Sequence, residues 1–446
     1  MSHSVLRPPG PKSRYPGQFM LQSRRDILGT LTRMARDHGD ASFVETLAGR
    51  LYLFNHPDAV REVLQVQSQN FVKSRALVMA KRLLGEGLLT SEDPLHRRQR
   101  ILMQPAFHHK RVKNYADAMT HYALQMSEQW RDGNEVDMHH EMMALTLAVV
   151  GKTLFNTEVG PETHAVEEAM QAIMPLFTRS FLPWAELLNR LPLPANKRFD
   201  EAGARLDATI YRIIGEHKKA GDIGDLVSML LMARDEDDQP MSDLQVRDEA
   251  LTIFLAGHET TANALTYTWY LLAQHPEVEA KMQREVDEVL GKRAATMDDV
   301  QNLAYTQMVF AEAMRLYPPA WALGRRSIND CEIMGYPIPK DSLVLVSQWV
   351  MHRDERFWPE PLKFDPERFT EEAKAARPKF AYFPFGSGPR TCIGEAFAWM
   401  EGALLIATLA QKWRARLVSD KPLQLQPLIT LRPRHPVMMK LEQRKH

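Results

Sequence analysis

The segment around Cys392 has the most distinctive spacing of chemically active residues in the chain. It reads Phe385-x-x-Gly388-x-Arg390-x-Cys392-x-Gly394 and continues directly into an apolar, helix-forming run. Glycines permit a tight turn and a close approach to a flat group, against which an aromatic ring can pack. A cysteine just before a helix has free backbone N–H groups near its sulphur, and these favour a thiolate. One thiolate held in this way is a typical axial ligand of haem iron, and an arginine two residues upstream can reach a haem propionate.

The alternative interpretation of this cysteine is a buried, inert residue, which is the usual role of a lone cysteine. The four flanking residues would coincide around a given cysteine by chance on the order of once in 10⁵, so we favour the iron ligand. The chain has two cysteines, Cys331 and Cys392. This number excludes a disulfide framework and any C-x-x-C metal or redox site.

A second chemical segment lies inside a long predicted helix. Ser242 with Gln245 three residues later predicts the helix start, and Pro276 predicts its end just after His275. Because most of this run is apolar, we expect the helix to be central. Residues 256–261 contain a glycine and adjacent threonines, which lower helix propensity and predict a local distortion that opens a groove for a small ligand.

Glu259 and Thr260 in that segment are a neighbouring acid and alcohol. A hydroxyl beside bound dioxygen can donate a hydrogen bond and hold a water, and a carboxylate can relay protons from solvent. We therefore predict that this pair delivers protons at the site. The alternative is that Glu259 caps or neutralises the adjacent His258.

Several cations could bind the two propionates of a haem. His96 and Arg100 are four residues apart, so they share one face of a predicted helix. Arg390 and Arg325 are the other candidates, and Arg326 could take the place of Arg325.

Another charged set has a supporting role in our interpretation. Glu312 and Arg315 are three residues apart on a predicted helix, where an ordinary surface ion pair is the common explanation. Arg368 lies in a proline-rich, irregular stretch, residues 357–385, whose backbone needs side-chain hydrogen bonds. A bidentate Glu–Arg–Arg network would supply them and support the cysteine loop.

Taken together, these motifs resemble those of the cytochrome P-450 family, the haem-thiolate monooxygenases. The cysteine loop matches the family signature without a departure, and residues 256–261 are similar to its oxygen-activation segment. Glu312-x-x-Arg315 and residues 366–369 are similar to its Glu–Arg–Arg motifs. The resemblance implies haem b with Cys392 as the metal ligand and the four cations above at the propionates. It also places Phe385, Gly394 and Ala256 beside the cofactor.

The resemblance further implies a reaction and its partners. One oxygen atom of O₂ would enter a C–H bond of a lipophilic small molecule such as a fatty acid, terpenoid or steroid. The chain has no Rossmann or flavin-type glycine fingerprint, so we expect no fused reductase and a separate ferredoxin or flavodoxin-type electron donor with its reductase. The alternatives are a peroxide-driven peroxygenase or isomerase, and a non-catalytic haem gas sensor or electron carrier.

Substrate contacts and the docking surface are less clearly marked in the sequence. The run Arg97, Arg98, Lys110, Arg111 and Lys113 is most simply a solvated helix face, with docking of an acidic electron donor as the alternative. Apolar residues expected near the substrate, which are equally ordinary core residues, are Leu255, Ala320, Trp321, Ala322, Leu323 and Ile429.

Composition agrees with a globular enzyme. The 446 residues are 44% hydrophobic and 25% charged, with 56 basic and 56 acidic residues, so no net charge attracts nucleic acid or lipid. The first twenty residues lack the apolar run of a signal peptide or membrane anchor, which favours a cytoplasmic protein. We also expect a monomer. We predict one mainly α domain over residues 1–446, a many-helix bundle around a haem. Helix dominates residues 57–289, and a small β subdomain is formed near Gly49 and within residues 331–350 and 425–441.

Overall fold

A computed structural model describes residues 6–15, 17–107, 109–157 and 184–445 of the chain. Its α-helices are α1 (Gln18–Arg25), α2 (Ile27–His38), α3 (Pro57–Arg61), α4 (Arg75–Leu84), α5 (Leu95–Met103), α6 (His109–Gln129), α7 (Met138–Phe155), α8 (Ala185–Arg190), α9 (Pro194–Ala220), α10 (Leu226–Met232), α11 (Asp243–Gln274), α12 (Pro276–Leu290), α13 (Ala304–Leu316), α14 (Gln348–Met351), α15 (Glu371–Ala376) and α16 (Glu395–Ala410). Short 3₁₀ segments include Pro366–Phe369 and Gly388–Arg390, and Glu62–Val66 is a π-helical turn.

The strands are β1 (Ala41–Thr46), β2 (Gly49–Phe54), β3 (Phe71–Lys73), β4 (Glu135–Asp137), β5 (Leu323–Ser327), β6 (Cys331–Ile333), β7 (Tyr336–Ile338), β8 (Leu343–Val346), β9 (Trp413–Leu417), β10 (Leu425–Pro427), β11 (Leu431–Pro433) and β12 (Met438–Gln443). The main sheet has the order β1-β2-β8-β5-β3, and β2 and β8 are parallel. A three-stranded sheet has the order β4-β12-β9, and β6–β7 and β10–β11 are separate pairs. The mainly α fold with a small β subdomain is confirmed.

The central helix α11 has the predicted ends. The Ser242 side chain accepts a hydrogen bond from the Gln245 N–H at 3.2 Å, and His275 follows the last helical residue before Pro276 starts α12. Most of α11 is buried, and it packs against α7, α9, α13 and α16. The position of this helix in the core follows from its apolar sequence, because no face of it is predominantly polar.

The predicted distortion in residues 256–261 is wrong, because α11 is a continuous α-helix there. A Cβ added at Gly257 would lie 3.2 Å from Val150 Cγ2 of α7, so this glycine permits close helix packing. The Thr260 hydroxyl donates to the Ala256 carbonyl at 2.9 Å, and the Thr261 hydroxyl donates to the Gly257 carbonyl at 3.4 Å. These hydroxyls are satisfied within the helix without breaking it.

Other local predictions are confirmed or corrected by the strands. The hairpin around Gly49 is confirmed, with Thr46 paired to Gly49 and Ala41 to Phe54. The region predicted to be helical contains β3 and β4, and its residues 158–183 lie outside the described residues. The N-terminal helical segment is divided into α1 and α2, because the Asp26 side chain accepts from the Gly29 N–H and starts a new helix.

Within the described ranges, no helix is long and apolar enough to cross a membrane. The apolar run of α11 therefore serves the protein interior, where its buried residues join the largest apolar cluster together with residues of α6, α7 and α16.

Candidate active site

The cysteine loop connects residues 388–390 to α16. The Cys392 N–H donates to the Phe385 carbonyl at 3.0 Å, which closes the loop on itself. Gly386 and Gly388 have φ values of 73° and 72°, in the left-handed region that favours glycine. A Cβ at Gly388 would lie 2.0 Å from the Leu64 carbonyl oxygen, so only glycine allows this close packing. The predicted role of the glycines, a tight turn with a close approach, agrees with this geometry.

Cys392 lies just before α16 in a partly open position. The residue is exposed, yet enough protein surrounds the sulphur that burial raises the pKa of its thiol to about 11. The Gly394 N–H and the charge of Arg100 favour the thiolate, whereas Glu395 opposes it. The predicted stabilising N–H group is thus present, but burial outweighs it. A cation at the sulphur would offset the cost of burial, and the iron of a haem is such a cation.

The central helix exposes a second internal surface. Its middle is buried except at Ala256, which is exposed, and at Gly257 and Thr260, which are half-buried. Ala256 and Thr260 are four residues apart and lie on one face of the helix. The neighbouring Leu255 is buried in the main apolar cluster. A small residue and a hydroxyl thus border an open space in the core of the protein.

Glu259 is directed to the C-terminal strands rather than to that space. Its Oε1 accepts hydrogen bonds from Thr430 Oγ1 and Arg432 Nε, and only 1% of the residue is exposed. Burial is the largest influence and raises the pKa of Glu259, but the bonds from Arg432 and Thr430 outweigh it and bring the pKa below its ordinary value. His258 contributes only a minor charge effect, so the alternative in which His258 is the main partner is wrong.

The predicted propionate ligands converge with one residue that the sequence did not indicate, Lys73 of β3. Arg100 Nη1 donates to the Thr391 carbonyl at 2.7 Å, which joins α5 to the cysteine loop. On β5, Arg325 is buried, whereas Arg326 is exposed and forms an ion pair with Asp341 at 2.6 Å. The structure therefore places Arg325, and not Arg326, inside the protein.

The charges of this cluster are incompletely compensated. The pKa of Lys73 is lowered to about 7 and that of Arg325 to about 10, in both by burial first and then by the charge of Arg390. Burial and Arg390 likewise lower the pKa of His96 to about 4. The positive side chains are those of Lys73, Arg100, Arg325 and Arg390.

Nearby carboxylates supply part of the missing charge. Arg390 Nη2 is 2.5 Å from Glu92 Oε2, and His96 Nδ1 is 3.4 Å from Asp93 Oδ1. Two carboxylates face three arginines and Lys73, whose charged form an added anion would favour, so a group with two negative charges fits this cluster. The two propionates of haem have that charge.

The predicted Glu–Arg–Arg network is present in the structure. Arg315 binds Glu312 in a bidentate manner, with Nε and Nη2 at 2.6 and 2.7 Å from the two carboxylate oxygens. Arg368 Nε lies 3.4 Å from Glu312 Oε1. Arg315 also donates to the carbonyls of His352, Pro361 and Lys363. The network thus holds the irregular backbone that precedes the cysteine loop, as predicted.

The residues predicted near the substrate divide into two groups. Ala320, Ala322, Leu323 and Ile429 are half-buried, and a Cβ at Gly386 of the cysteine loop would lie 3.5 Å from Leu323 Cδ1. Trp321, in contrast, packs among buried residues of α2 and β2, and its Nε1 donates to the Leu428 carbonyl at 2.9 Å. We therefore correct the assignment of Trp321, because its indole N–H requires an acceptor and finds one in the core.

The predicted basic surface is also partly corrected. Arg98 Nε is 2.6 Å from Asp235 Oδ2, and its Nη1 donates to Gln245, so this side chain joins α5 to the start of α11. The side chains of residues 109–114 lie outside the described part of the structure.

Comparisons with known proteins agree with this geometry. The profile of the family described as cytochrome P-450 matches residues 8–441. The chain belongs to the cytochrome P-450 family. It is 41% identical over 422 residues to cyclooctatin synthase of Streptomyces melanosporofaciens, covering 93% of this chain and 91% of that protein. It is 33% identical to pentalenene oxygenase of Streptomyces avermitilis, covering 91% of this chain and 90% of that protein.

Two further proteins extend this comparison. Cyclooctat-9-en-7-ol 5-monooxygenase of Streptomyces melanosporofaciens is 36% identical, with 85% of this chain and 83% of that protein covered. The crystal structure of the haem domain of cytochrome P450DA superposes with a TM-score of 0.89 at 26% identity, covering 99% of this chain and 98% of that one. This cytochrome P-450 is accordingly a haem-thiolate monooxygenase whose cofactor is haem b.

Proposed function

We propose that this monooxygenase hydroxylates a terpenoid in the internal space between α11 and the cysteine loop. The observation that carries the proposal is the exposure of Ala256 in an otherwise buried part of α11, together with the exposure of Cys392. The names of three relatives refer to pentalenene, to cyclooctatin and to cyclooctat-9-en-7-ol. Half-buried apolar residues such as Leu323 and Ile429 suit a lipophilic ring system.

The residues of this chain that would hold the haem follow from their chemistry. Cys392 would ligate the iron, and Phe385 and Gly394 would pack beside the ring. The propionates would bind the cation cluster, for which we propose His96, Arg100, Arg325 and Arg390 together with Lys73. When bound, the haem supplies the iron at which dioxygen is activated.

The protein itself would supply protons and exclude water. The Thr260 hydroxyl lies on the open face of α11 and donates to the Ala256 carbonyl. Its Oγ1 can also accept a hydrogen bond from a water, and in this way it can hold a proton at the site. Glu259 is one residue away but is held by Arg432 and Thr430. In our proposal Glu259 is the proton relay, whose carboxylate takes up a proton from solvent and passes it to Thr260 through water that enters beside Ala256.

Electrons would come from a separate ferredoxin or flavodoxin-type donor with its reductase. The competing proposals are turnover with peroxide alone and a haem protein that senses gas or carries electrons. Thr260 on the open helix face favours the dioxygen reaction, because a hydroxyl there serves proton delivery to dioxygen.

The first experiment is the spectrum of the reduced, carbon monoxide-bound protein. We expect the red-shifted band of a thiolate ligand in the parent, its loss in Cys392→Ser, and its retention in the matched control Cys331→Ser. A haem spectrum typical of a histidine ligand in folded parent protein would contradict the assignment of Cys392.

The second experiment tests the reaction and the substrate class. Cyclooctat-9-en-7-ol and pentalenene should each be screened for a substrate-induced spectral shift, beside a fatty acid and a steroid. With a bound terpenoid, redox partners and isotopically labelled dioxygen, we expect one labelled oxygen atom in the product. An unlabelled product formed with peroxide would support the peroxygenase instead, and binding of the fatty acid or steroid alone would refute the terpenoid class.

A further inference from the structure

One face of the central helix binds the β10–β11 hairpin. Glu259, Asn263 and Tyr267 are spaced by four residues, so they lie on the same face of α11. Glu259 accepts from Thr430 and Arg432, Asn263 Nδ2 donates to Thr430 Oγ1 at 3.4 Å, and the Tyr267 hydroxyl donates to the Leu431 carbonyl at 3.1 Å. The hairpin is therefore fastened to the helix that carries Thr260.

The other side of the hairpin reaches the predicted substrate region. Ile429 precedes Thr430 and is half-buried. The Leu428 carbonyl accepts from Trp321 Nε1, and the Leu431 N–H donates to the Pro319 carbonyl at 2.9 Å. A rigid backbone thus connects a residue next to the substrate space with the two donors to Glu259.

The pair formed by Glu259 and Arg432 is deeply placed. Their side chains are 2% and 15% exposed, and Arg432 Nη2 is buried without a hydrogen-bond partner within the described residues. The other titratable groups facing this region are His258 on α11 and His139 on α7, whose Nε2 is 3.1 Å from Asn263 Oδ1. Burying a guanidinium with an unused donor costs desolvation free energy, and the negative charge of Glu259 offsets part of that cost.

We propose that Arg432, assisted by Thr430, is a positioning residue that keeps Glu259 ionised and bound to the hairpin until a proton is delivered toward Thr260. This inference rests on the proposed role of Glu259 as proton relay. It adds that the hairpin beside the substrate space controls that relay. Arg432 acts through Glu259 and touches no reacting atom.

The direct test is an infrared titration of the protonated-carboxyl band in the haem-loaded protein. Arg432→Met removes the charge but keeps an apolar side chain, so the cost of burying Glu259 is no longer offset. We expect an additional protonated-carboxyl band at neutral pH in Arg432→Met, beyond those of buried carboxyls such as Glu401, with a pKa of Glu259 higher than in the parent by on the order of one pH unit or more. The additional band should be absent from the double variant Arg432→Met with Glu259→Gln. Arg432→Lys should restore the parent titration.

A second readout is the pH profile of coupling, meaning product formed per dioxygen consumed. Coupling in Arg432→Met should fall several-fold at neutral pH, and Arg432→Lys should recover most of it. Arg416→Met is the matched control, because Arg416 Nη2 is 2.7 Å from Glu279 Oε2, a carboxylate that is likewise buried but lies on α12. Its coupling profile should be that of the parent.

Two results would overturn the proposal. The first is a Glu259-dependent band that titrates at the same pH in parent and Arg432→Met. The second, decisive if Arg432→Met does not fold, is a parent titration in Arg432→Gln, which keeps a polar side chain but removes the charge. Coupling in Glu259→Gln equal to that of the parent would instead refute Glu259 as proton relay, and so these failures are distinguishable.

Discussion

Two buried charge clusters support the same cysteine loop but differ in how their charges are compensated. In the first, Glu312 and Arg315 are 0% exposed, and Glu312 binds Arg315 and Arg368 while accepting the Asp365 N–H at 2.9 Å. In the second, Arg100, Arg325 and Arg390 face the carboxylates of Glu92 and Asp93 together with Lys73, whose pKa is lowered to about 7 by burial and by the charge of Arg390.

The difference separates a structural cluster from a ligand site. In the Glu312 cluster, the donors of Arg315 that do not bind Glu312 bind backbone carbonyls of His352, Pro361 and Lys363. In the Arg325 cluster, the hydrogen bond of the Arg325 guanidinium within the described residues is the one from Nη1 to the Gly324 carbonyl, which leaves donors and positive charge for an anion. The two clusters can thus be told apart by how completely their central arginine uses its donors.

The largest effect should come from breaking the Glu312 cluster. Glu312→Gln leaves Arg315 and Arg368 buried without a carboxylate, and the free energy of unfolding should fall by about 3–5 kcal/mol. Urea denaturation of the haem-loaded protein measures this change. The matched control is Glu371→Gln, which breaks the exposed ion pair with Lys374 and should change stability by less than about 0.5 kcal/mol. Equal effects of the two substitutions would contradict the structural role of the cluster.

Removing a cation from the second cluster should have the opposite pattern. Arg325→Met relieves repulsion, so the haem-free protein should be as stable as the parent or slightly more stable. Its haem affinity should fall roughly 10–100-fold, because a charge-assisted contact with a propionate is lost. Transfer of haem to an acceptor protein measures the affinity. Arg326→Met, the exposed neighbour paired with Asp341, should alter neither quantity. A weakened haem-free fold with unchanged haem affinity would assign Arg325 to structure.

A buried carboxyl without a cationic partner among the described residues sharpens the comparison. Glu401 of α16 is 0% exposed beside Thr261, and burial raises its pKa to about 8. Since the unfolded chain loses this proton near the ordinary value of 4.5, the stability contribution of Glu401 declines as pH rises through the interval between the two values. Glu401→Gln should reduce this decline by on the order of 2–4 kcal/mol. Urea denaturation at the two ends of the interval measures it, and a pH dependence identical to that of the parent would refute the raised pKa.

The sequence allowed prediction of what depends on nearby residues. The ends of α11 follow from Ser242 and Pro276, and the Glu312–Arg315 pair follows from a spacing of three residues on a helix. The turn of the cysteine loop follows from its glycines. In each case the interacting groups lie within one segment, so a one-dimensional pattern contains the geometry.

Contacts between residues that are distant in the chain could not be predicted from such patterns. The ion pair of Glu259 with Arg432 joins residues 173 positions apart, and Arg390 meets Glu92 across 298 positions. Lys73 lies on a three-residue strand with no motif around it, so its place in the cation cluster depends on the pairing of β3 with β5. The assignment of Trp321 failed for the same reason, because the Leu428 carbonyl that receives its N–H is 107 residues away.

The parallel pairing of β2 with β8 has a consequence for how the protein is made. Leu51 pairs with Leu343 and Phe54 with Val346, and Arg100 contacts Thr391 across 291 positions. During translation the early strands therefore wait for most of the chain before their partners leave the ribosome. Closure of such distant contacts is slow, and the loop that carries Cys392 is among the last parts of the site to be synthesised. The complete haem site therefore forms only after most of the chain has been synthesised.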